Sequence, residues 1–170
     1  MDFSTSKTEN LFLQMIREFA EKEVKPLAAA VDEEERFPEE TVKKMAALGM
    51  MGIPFPKEYG GAGGNNQLYS MAVEELSRVC ATTGVIVSAH TSLCASPIYE
   101  FGNEEQRRKY LPRLCSGEWI GAFGLTEPNA GTDASAQQTM AVKEGEHYVL
   151  NGSKFLLPML LMHTFTLSWP

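Results

Sequence analysis

Apolar side chains recur every three or four residues through most of the first 117 positions, which is the spacing of amphipathic helices. The run 84–101 is apolar on most of its faces, so it is predicted to be a core helix enclosed by the others. Five helices are expected, over 6–24, 39–48, 68–80, 84–101 and 103–114. Pro26 is predicted to interrupt the first, and whether it resumes over 27–31 is left open. The second is predicted to end before Gly49.

A glycine-rich link separates the second predicted helix from the third. It contains Pro54, Pro56 and the run GGAGG at 60–64. Such a run cradles phosphate when a strand precedes it and a helix N-terminus follows it at a fixed spacing. Neither neighbour is evident in the pattern, so an ordinary loop is predicted.

After Gly117 the apolar period changes from helical to alternating. Alternation covers 119–125, 138–143 and 148–154, and the sequence EGE between the last two indicates a hairpin. The pattern predicts an α+β chain: an N-terminal all-α helical domain over 1–117, followed by the start of an antiparallel β domain over 118–154. The tail 155–170 does not continue either pattern.

Composition narrows the function classes. The chain has 170 residues, of which 44% are hydrophobic, enough for one sizeable core. A formal net charge of -7 argues against a nucleic-acid binder, which needs clustered cations. The three cysteines lack metal-ligand spacing and are predicted to be buried thiols in a reducing compartment. The first ten residues resemble neither a secretory signal nor a transit peptide, so a cytoplasmic and prokaryotic protein is expected.

The segment 124–136 carries the candidate chemistry. A strand-forming run reaches a Pro-Asn-Ala-Gly break that is crowded with short polar side chains. Such a loop presents backbone N–H groups and hydroxyls to the polar edge of a ligand. Taken alone, Thr126 and Thr132 are explained better by ordinary turn chemistry. The carboxyl pair Glu127 and Asp133 invites comparison with a general acid and base.

Five motifs follow one another along the chain: LGMMGIP at 48–54, VEELS at 73–77, FGNEEQ at 101–106, GLTEPNAGTD at 124–133 and LNGSK at 150–154. In this order they resemble the acyl-CoA dehydrogenase family, and the resemblance runs from about residue 8 to 154. It implies FAD, oxidation of an acyl-CoA to the trans-2-enoyl-CoA, electron transfer to an electron-transferring flavoprotein, and a tetramer in the full-length family.

The resemblance also implies site residues. Phe123, Leu125 and Thr126 are expected to face the flavin, with the Thr126 hydroxyl at the pyrimidine edge, where fixed donors stabilise negative charge. Thr132 is expected at the pantetheine part of the substrate. The family's base comes from a C-terminal helical domain, so no catalytic residue and no metal ligand is assigned in this chain, Glu127 and Asp133 included.

The core helix carries the expectation about acyl chain length. The run GVIVS at 84–88 resembles short-chain, butyryl-type members, in which Ile86 and Val87 would close the end of the acyl pocket. One methylene in such a pocket is worth roughly 1–3 kcal/mol. The alternative is that both residues only fill the core. The histidines form no site, and His90 is predicted to be a hydrogen-bonded packing residue.

The tail departs from the resemblance at Phe155. After LNGSK the family has a second flavin-contact strand, whereas here FLLPMLLMH follows. This apolar run is shorter than the about 20 residues that a membrane span needs. The hypothesis is that the reading frame is lost near position 155. The chain alone is then expected to be inactive, to bind FAD weakly or not at all, and to expose the side chains of Tyr148 and Leu150. An acyl-CoA oxidase or flavin monooxygenase of similar fold, and a non-catalytic helical interaction module, stay open as alternatives.

Overall fold

The computed structural model of the chain describes residues 4–157, 159 and 165–168, the last four by their backbone. Helices precede strands, as predicted. Two π-helical segments, Ala20–Val24 and Ala89–Ala95, interrupt the helical part. The helices are α1 (Lys7–Phe19), α2 (Lys25–Glu33), α3 (Glu39–Ala47), α4 (Asn66–Ser77), α5 (Ala81–Ser88), α6 (Ser96–Phe101) and α7 (Glu104–Cys115), and the strands are β1 (Gly121–Gly124), β2 (Met140–Glu144), β3 (His147–Asn151) and β4 (Phe165–Ser168).

The helix boundaries show how local signals act. The Ser6 hydroxyl accepts from Glu9 N, and the Glu9 carboxylate accepts from Ser6 N, so a capping box starts α1. The resumption left open over 27–31 is confirmed by α2. The regular α-helix changes earlier than expected, at the π-helical segment Ala20–Val24, and Pro26 lies in the first turn of α2, a position that tolerates proline. The predicted end of α3 is confirmed, since Gly49 is left-handed at φ 74°.

The core helix is longer and less enclosed than predicted. It begins at Ala81 and runs through α5, the segment Ala89–Ala95 and α6. Its inner face is fully covered, whereas Val85 is 57% and Phe101 87% exposed. The pattern therefore identifies the helix but overestimates how many of its faces are covered in this chain.

At the glycine-rich link, the expectation that no helix start follows the glycine run is wrong, whereas the prediction of an ordinary loop is supported. Helix α4 begins at Asn66, directly after the glycine run, so a helix start does follow it. The loop amides, however, point inward, where those of Ala62, Gly63 and Gly64 donate to carbonyls of residues 52–55 at 2.9 Å each. Since these donors are used within the loop, the structure supports an ordinary loop rather than a phosphate cradle.

Two buried clusters form the hydrophobic core. One lies among α1, α3, α4 and α5, and the other lies where α6 and α7 meet the 3₁₀ turn Lys57–Tyr59. All three cysteines are buried and free, as predicted. Fully buried members include Ile16, Met45, Met51, Leu76 and Val87 in the first cluster and Cys94, Leu111 and Leu114 in the second.

The strands form two small pairs. β2 and β3 make the predicted antiparallel hairpin, with Met140 opposite Asn151 and Gly145 at φ 63° in the turn. β1 pairs in parallel with β4, so that Gly121 lies opposite Phe165. This parallel pair was not predicted, although Phe165–Ser168 alternates apolar and polar residues, because the tail was set aside as fitting neither pattern. In the part of the chain that the structure describes, no helix is long and apolar enough to cross a membrane.

Candidate functional site

The candidate site starts where β1 packs against the core helix. The strand contacts the segment Ala89–Ala95, and Ala122 is completely buried. A Cβ atom on Gly121 would lie 2.6 Å from Cys94 Sγ, so glycine alone allows this approach. Phe123 is half-buried. The close packing fixes where the chain leaves β1 and enters the loop that carries the predicted flavin residues.

A tight turn forms the centre of that loop. Glu127 N donates to Ala130 O at 3.0 Å, and Ala130 N donates back to Glu127 O at 3.2 Å. Thr126 precedes the turn and is half-buried, whereas Thr132 follows it and is exposed. Asp133 ends the loop, where its carboxylate accepts from Ser135 N at 3.1 Å. The two threonines therefore lie on either side of one rigid turn.

The Glu127 carboxylate fastens this turn to the hairpin. It is 6% exposed and accepts from Gln138 N at 2.6 Å, Thr139 N at 3.1 Å and Lys154 Nζ at 2.8 Å. The ion pair with Lys154, together with the hydrogen bonds from 138 and 139, lowers the pKa of Glu127 to about 2. A carboxylate held ionised at neutral pH by three bonded groups acts as an anchor and is poorly placed to exchange protons with a substrate.

Lys154 was missed as a site residue by the sequence reasoning. Its ammonium group binds Leu125 O at 3.1 Å as well as the Glu127 carboxylate, and its side chain is 9% exposed. Gln137 Nε2 donates to the same carbonyl at 2.9 Å, and Phe155 N donates to Thr126 O at 2.7 Å. Its burial cannot be read from the sequence, so the only available signal was its place in the motif LNGSK.

Two hydroxyls of the loop have no hydrogen-bond partner in the described part of the chain. The carbonyls of Leu125 and Thr126 are engaged by the hairpin side, as described above. The hydroxyls of Thr126 and Thr132 make no hydrogen bond to any residue that the structure describes. Short donors on a braced turn suit a planar ligand with acceptor atoms along one edge. Residues 4–157, 159 and 165–168 contain no group of three His, Cys, Asp or Glu side chains that could hold a metal ion.

The two residues expected at the acyl pocket lie on α5. Ile86 and Val87 are 4% and 0% exposed and belong to the first core cluster. Ile86 also lines an apolar groove of about 460 Å³ together with Phe37, Val85 and Met159. Neither residue adjoins the loop 124–132 along the chain. The two groups are connected through the segment Ala89–Ala95, which continues α5 and packs against β1.

His90 makes that connection. Its ring is fully buried, Nδ1 accepts from Gly121 N at 2.9 Å, and Nε2 lies 3.1 Å from Leu114 O. Burial lowers the pKa of His90 to about 4, because the charged ring would lose its hydration. The predicted role of His90 as a hydrogen-bonded packing residue is confirmed.

Comparison with known proteins identifies the relatives of this chain. Residues 6–118 match the family model described as "Acyl-CoA dehydrogenase, N-terminal domain". The short-chain specific acyl-CoA dehydrogenase of Clostridium acetobutylicum is 68% identical over 157 residues, which cover 92% of this chain and 41% of that protein. The chain thus spans well under half the length of this curated relative.

Solved structures share the fold. Butyryl-CoA dehydrogenase from Megasphaera elsdenii superposes with a TM-score of 0.92 at 40% identity, over 99% of this chain and 45% of that one. Glutaryl-CoA dehydrogenase from Mycobacterium smegmatis, in complex with FADH2, gives a TM-score of 0.90 at 32% identity, over 97% of this chain and 42% of that one. Since the family match covers well over half of its residues, the chain belongs to the acyl-CoA dehydrogenase family.

Proposed function

We propose that this chain supplies the flavin loop and part of the acyl pocket of an FAD-dependent dehydrogenase that converts a short-chain acyl-CoA to the trans-2-enoyl-CoA. The observation that carries the proposal is the loop 124–132, which Glu127 and Lys154 brace while the hydroxyls of Thr126 and Thr132 stay unbonded in the described chain. When bound, FAD supplies the redox chemistry, and the protein supplies placement and polarity.

The flavin contacts are assigned to Phe123, Leu125 and Thr126. Phe123 and Leu125 are half-buried and offer apolar surface to a ring. The Thr126 hydroxyl and nearby N–H groups would donate to its polar edge, where donors fixed in advance stabilise developing negative charge. The brace at Lys154 supports this role, because a donor that is already fixed needs no reorganisation during the reaction.

The substrate contacts are assigned to Thr132, Ile86 and Val87. Thr132 is exposed beside the turn, where its hydroxyl can bond the amide-containing arm of a CoA thioester. Ile86 borders the apolar groove on α5, and a branched side chain there shortens the space for an acyl chain. The names of the Clostridium acetobutylicum and Megasphaera elsdenii proteins, short-chain specific and butyryl-CoA dehydrogenase, support a four-carbon preference.

The proposal extends to the setting of the reaction. We place the helical domain at 1–117 and the start of the β domain at 118–154, with the tail 155–170 outside both. Electrons would pass to an electron-transferring flavoprotein, the working protein would be a homo-oligomer, and the location would be the cytoplasm. No residue of this chain is proposed as the base, since the structure uses Glu127 as an anchor.

A chimera tests the proposed function. Residues 6–154 replace the aligned segment of the Clostridium acetobutylicum relative, and the unmodified relative serves as the control. We expect a yellow protein that reduces an artificial electron acceptor with butyryl-CoA and little with octanoyl-CoA. A correctly assembled but colourless chimera would contradict the proposal, and hydrogen peroxide formation at a comparable rate without the acceptor would favour an oxidase.

A variant of the chimera tests the acyl-pocket assignment. Ile86→Gly should raise activity with octanoyl-CoA relative to butyryl-CoA, because the removed side chain opens the end of the pocket, with a discrimination of about 1–3 kcal/mol per methylene. Leu93→Gly is the matched control, since Leu93 is 38% exposed on the continuation of the same helix and does not line the groove. An unchanged preference in Ile86→Gly would leave Ile86 as a core residue only.

A further inference from the structure

One side chain joins the acyl-pocket helix to the flavin strand. The Gly121 N–H donates to His90 Nδ1 at 2.9 Å. Because Nδ1 accepts, the ring proton lies on Nε2, which donates to Leu114 O at 3.1 Å. Both bonds thus require the same neutral tautomer. The ring ties the core helix at once to β1 and to the end of α7.

The position of His90 in the fold gives these bonds their significance. His90 lies four residues after Ile86 on the continuous core helix, and Gly121 lies two residues before Phe123 and five before Thr126. The ring is fully buried, and Gly121 has no room for a Cβ atom against Cys94. There is no free space between the core helix and β1 at this contact, because interiors are close-packed. A displacement of the helix therefore also displaces Gly121.

The backbone of the same segment is not a regular α-helix. Residues Ala89–Ala95 form a π-helix, and its last turn is closed by Ser96 N donating to Thr91 O. Such segments are often found at functional sites, since they hold a side chain at an angle that an α-helix would not allow. Here the segment directs a ring, rather than an aliphatic side chain, at the first amide of β1.

We propose that His90 is a positioning residue that couples the acyl-pocket helix to the flavin loop. The inference rests on the proposed function. Movement of Ile86, of the kind that a bound acyl chain produces, is transmitted along the helix to the His90 ring, through Gly121 N, and into the loop at Thr126. The chain thereby links the fit of the acyl group to the placement of the donors that would face the flavin.

The first test requires no substitution. Nitrogen NMR of the full 170-residue chain at pH 7 should show His90 protonated at Nε2 only, with a scalar coupling between Gly121 N and Nδ1 across the hydrogen bond. Protonation at Nδ1, or the absence of that coupling in an otherwise well-dispersed spectrum, would overturn the proposal before any variant is made.

Two isosteric variants then separate the two ends of the ring. His90→Asn places an acceptor where Nδ1 lies, whereas His90→Gln places a donor where Nε2 lies. We expect His90→Gln to increase amide exchange at Gly121 by about tenfold and to shift the resonances of 123–132, and His90→Asn to leave both close to wild type. Equal effects in the two variants would reduce His90 to a filler of the core.

The coupling itself is measured with a perturbation on the helix. Ile86→Val should shift the Thr126 and Thr132 amide resonances in the wild-type and His90→Asn backgrounds but not in His90→Gln. Shifts of the same size in all three would show that the coupling bypasses the ring. If the resonance shifts depend on His90 as expected while the chimera described above stays colourless, the proposed function fails and the coupling through His90 stands. If the chimera is yellow and active but the shifts do not depend on His90, only the coupling fails.

Discussion

The helical region and the β hairpin carry apolar side chains with very different surroundings. Met51, Leu76 and Leu111 of the helical region are completely buried, whereas Tyr148 and Leu150 of the hairpin are 64% and 59% exposed. All positions of β2 and β3 are exposed, on both faces of the ribbon. The helical region covers most of its apolar surface with its own elements, apart from side chains such as Val85 and Phe101, whereas the hairpin covers none of its own.

The hairpin pattern explains the difference. Val142 pairs with Val149 on one face and Ala141 with Leu150 on the other, so neither face is the polar one of a half-solvated sheet. Two strands alone are marginally stable in water. Alternation thus specified the strands correctly, while burial of their faces depends on partners that the described chain does not provide. The hairpin is attached instead by polar contacts, chiefly the pair of Glu127 and Lys154.

The largest expected effect separates the two regions by stability. Leu76→Ala removes a completely buried side chain and should lower the free energy of unfolding by about 2–5 kcal/mol. Leu150→Ala is the matched control, because its side chain is 59% exposed and its loss should cost less than about 0.5 kcal/mol. Urea unfolding followed by circular dichroism measures both. Equal losses would mean that the hairpin is as well packed as the helices.

The next effect concerns the attachment of the hairpin. Lys154→Met removes the cation shared by Leu125 O and the Glu127 carboxylate, so amide exchange should accelerate at 138 and 139 and in β2 and β3, while α4 stays protected. Lys143→Met changes an exposed lysine of the same hairpin and should leave exchange unaltered. Hydrogen exchange read by NMR distinguishes them, and slow exchange in Lys154→Met would refute the anchoring role.

A smaller effect on the helical region follows from pH. The His90 pKa is lowered to about 4, so the unfolded state binds a proton first and stability should fall as pH drops from 6.5 to about 4, then level off. Above pH 6.5 both states are neutral at this ring and no dependence arises. Urea unfolding across this range should show a steeper loss of stability in wild type than in His90→Asn, since carboxylates with a lowered pKa, such as Glu75, act equally in both proteins near pH 4.5.

The smallest effect on overall stability is expected from Glu127, in a lower pH range. Its pKa is lowered to about 2, so its stabilising contribution is complete above pH 4.5 and declines as pH falls toward 2. Because it fastens the hairpin, exchange at 138 and 139 should quicken in that window before the helices respond. Simultaneous loss of protection in α4 would show that the two regions unfold as one unit.

Features of the fold that depend on neighbouring residues could be predicted from the sequence, whereas features that depend on distant contacts could not. Gly49 ends α3 where expected, and the helix predicted over 103–114 begins at a capping box of Asn103 and Gln106, since each of these signals acts within one turn. Pro26 misled, because a π-helical segment before it changed the hydrogen-bond register. β4 alternates apolar and polar residues over Phe165–Ser168, but its pairing with the distant β1 could not be read from that short pattern.

The candidate site also has one part that could be predicted from the sequence and one part that could not. The loop 124–132 was identified by its resemblance to a family motif, and its tight turn follows from local composition. The brace from Lys154 spans 27 positions to Glu127, and the bond of His90 to Gly121 spans 31, so neither follows from spacing in the sequence. A buried charge or a buried imidazole needs a partner, but the sequence does not say which one.

The flavin content of the chimera tests the central claim most directly. The ratio of bound flavin to protein is read from absorbance in the chimera that carries residues 6–154 and in its Lys154→Met variant, after both are shown to assemble like the parent relative. A loop braced for flavin predicts near-stoichiometric flavin in the first and a clear loss in the second. A colourless first protein, or equal flavin in both, would contradict the account.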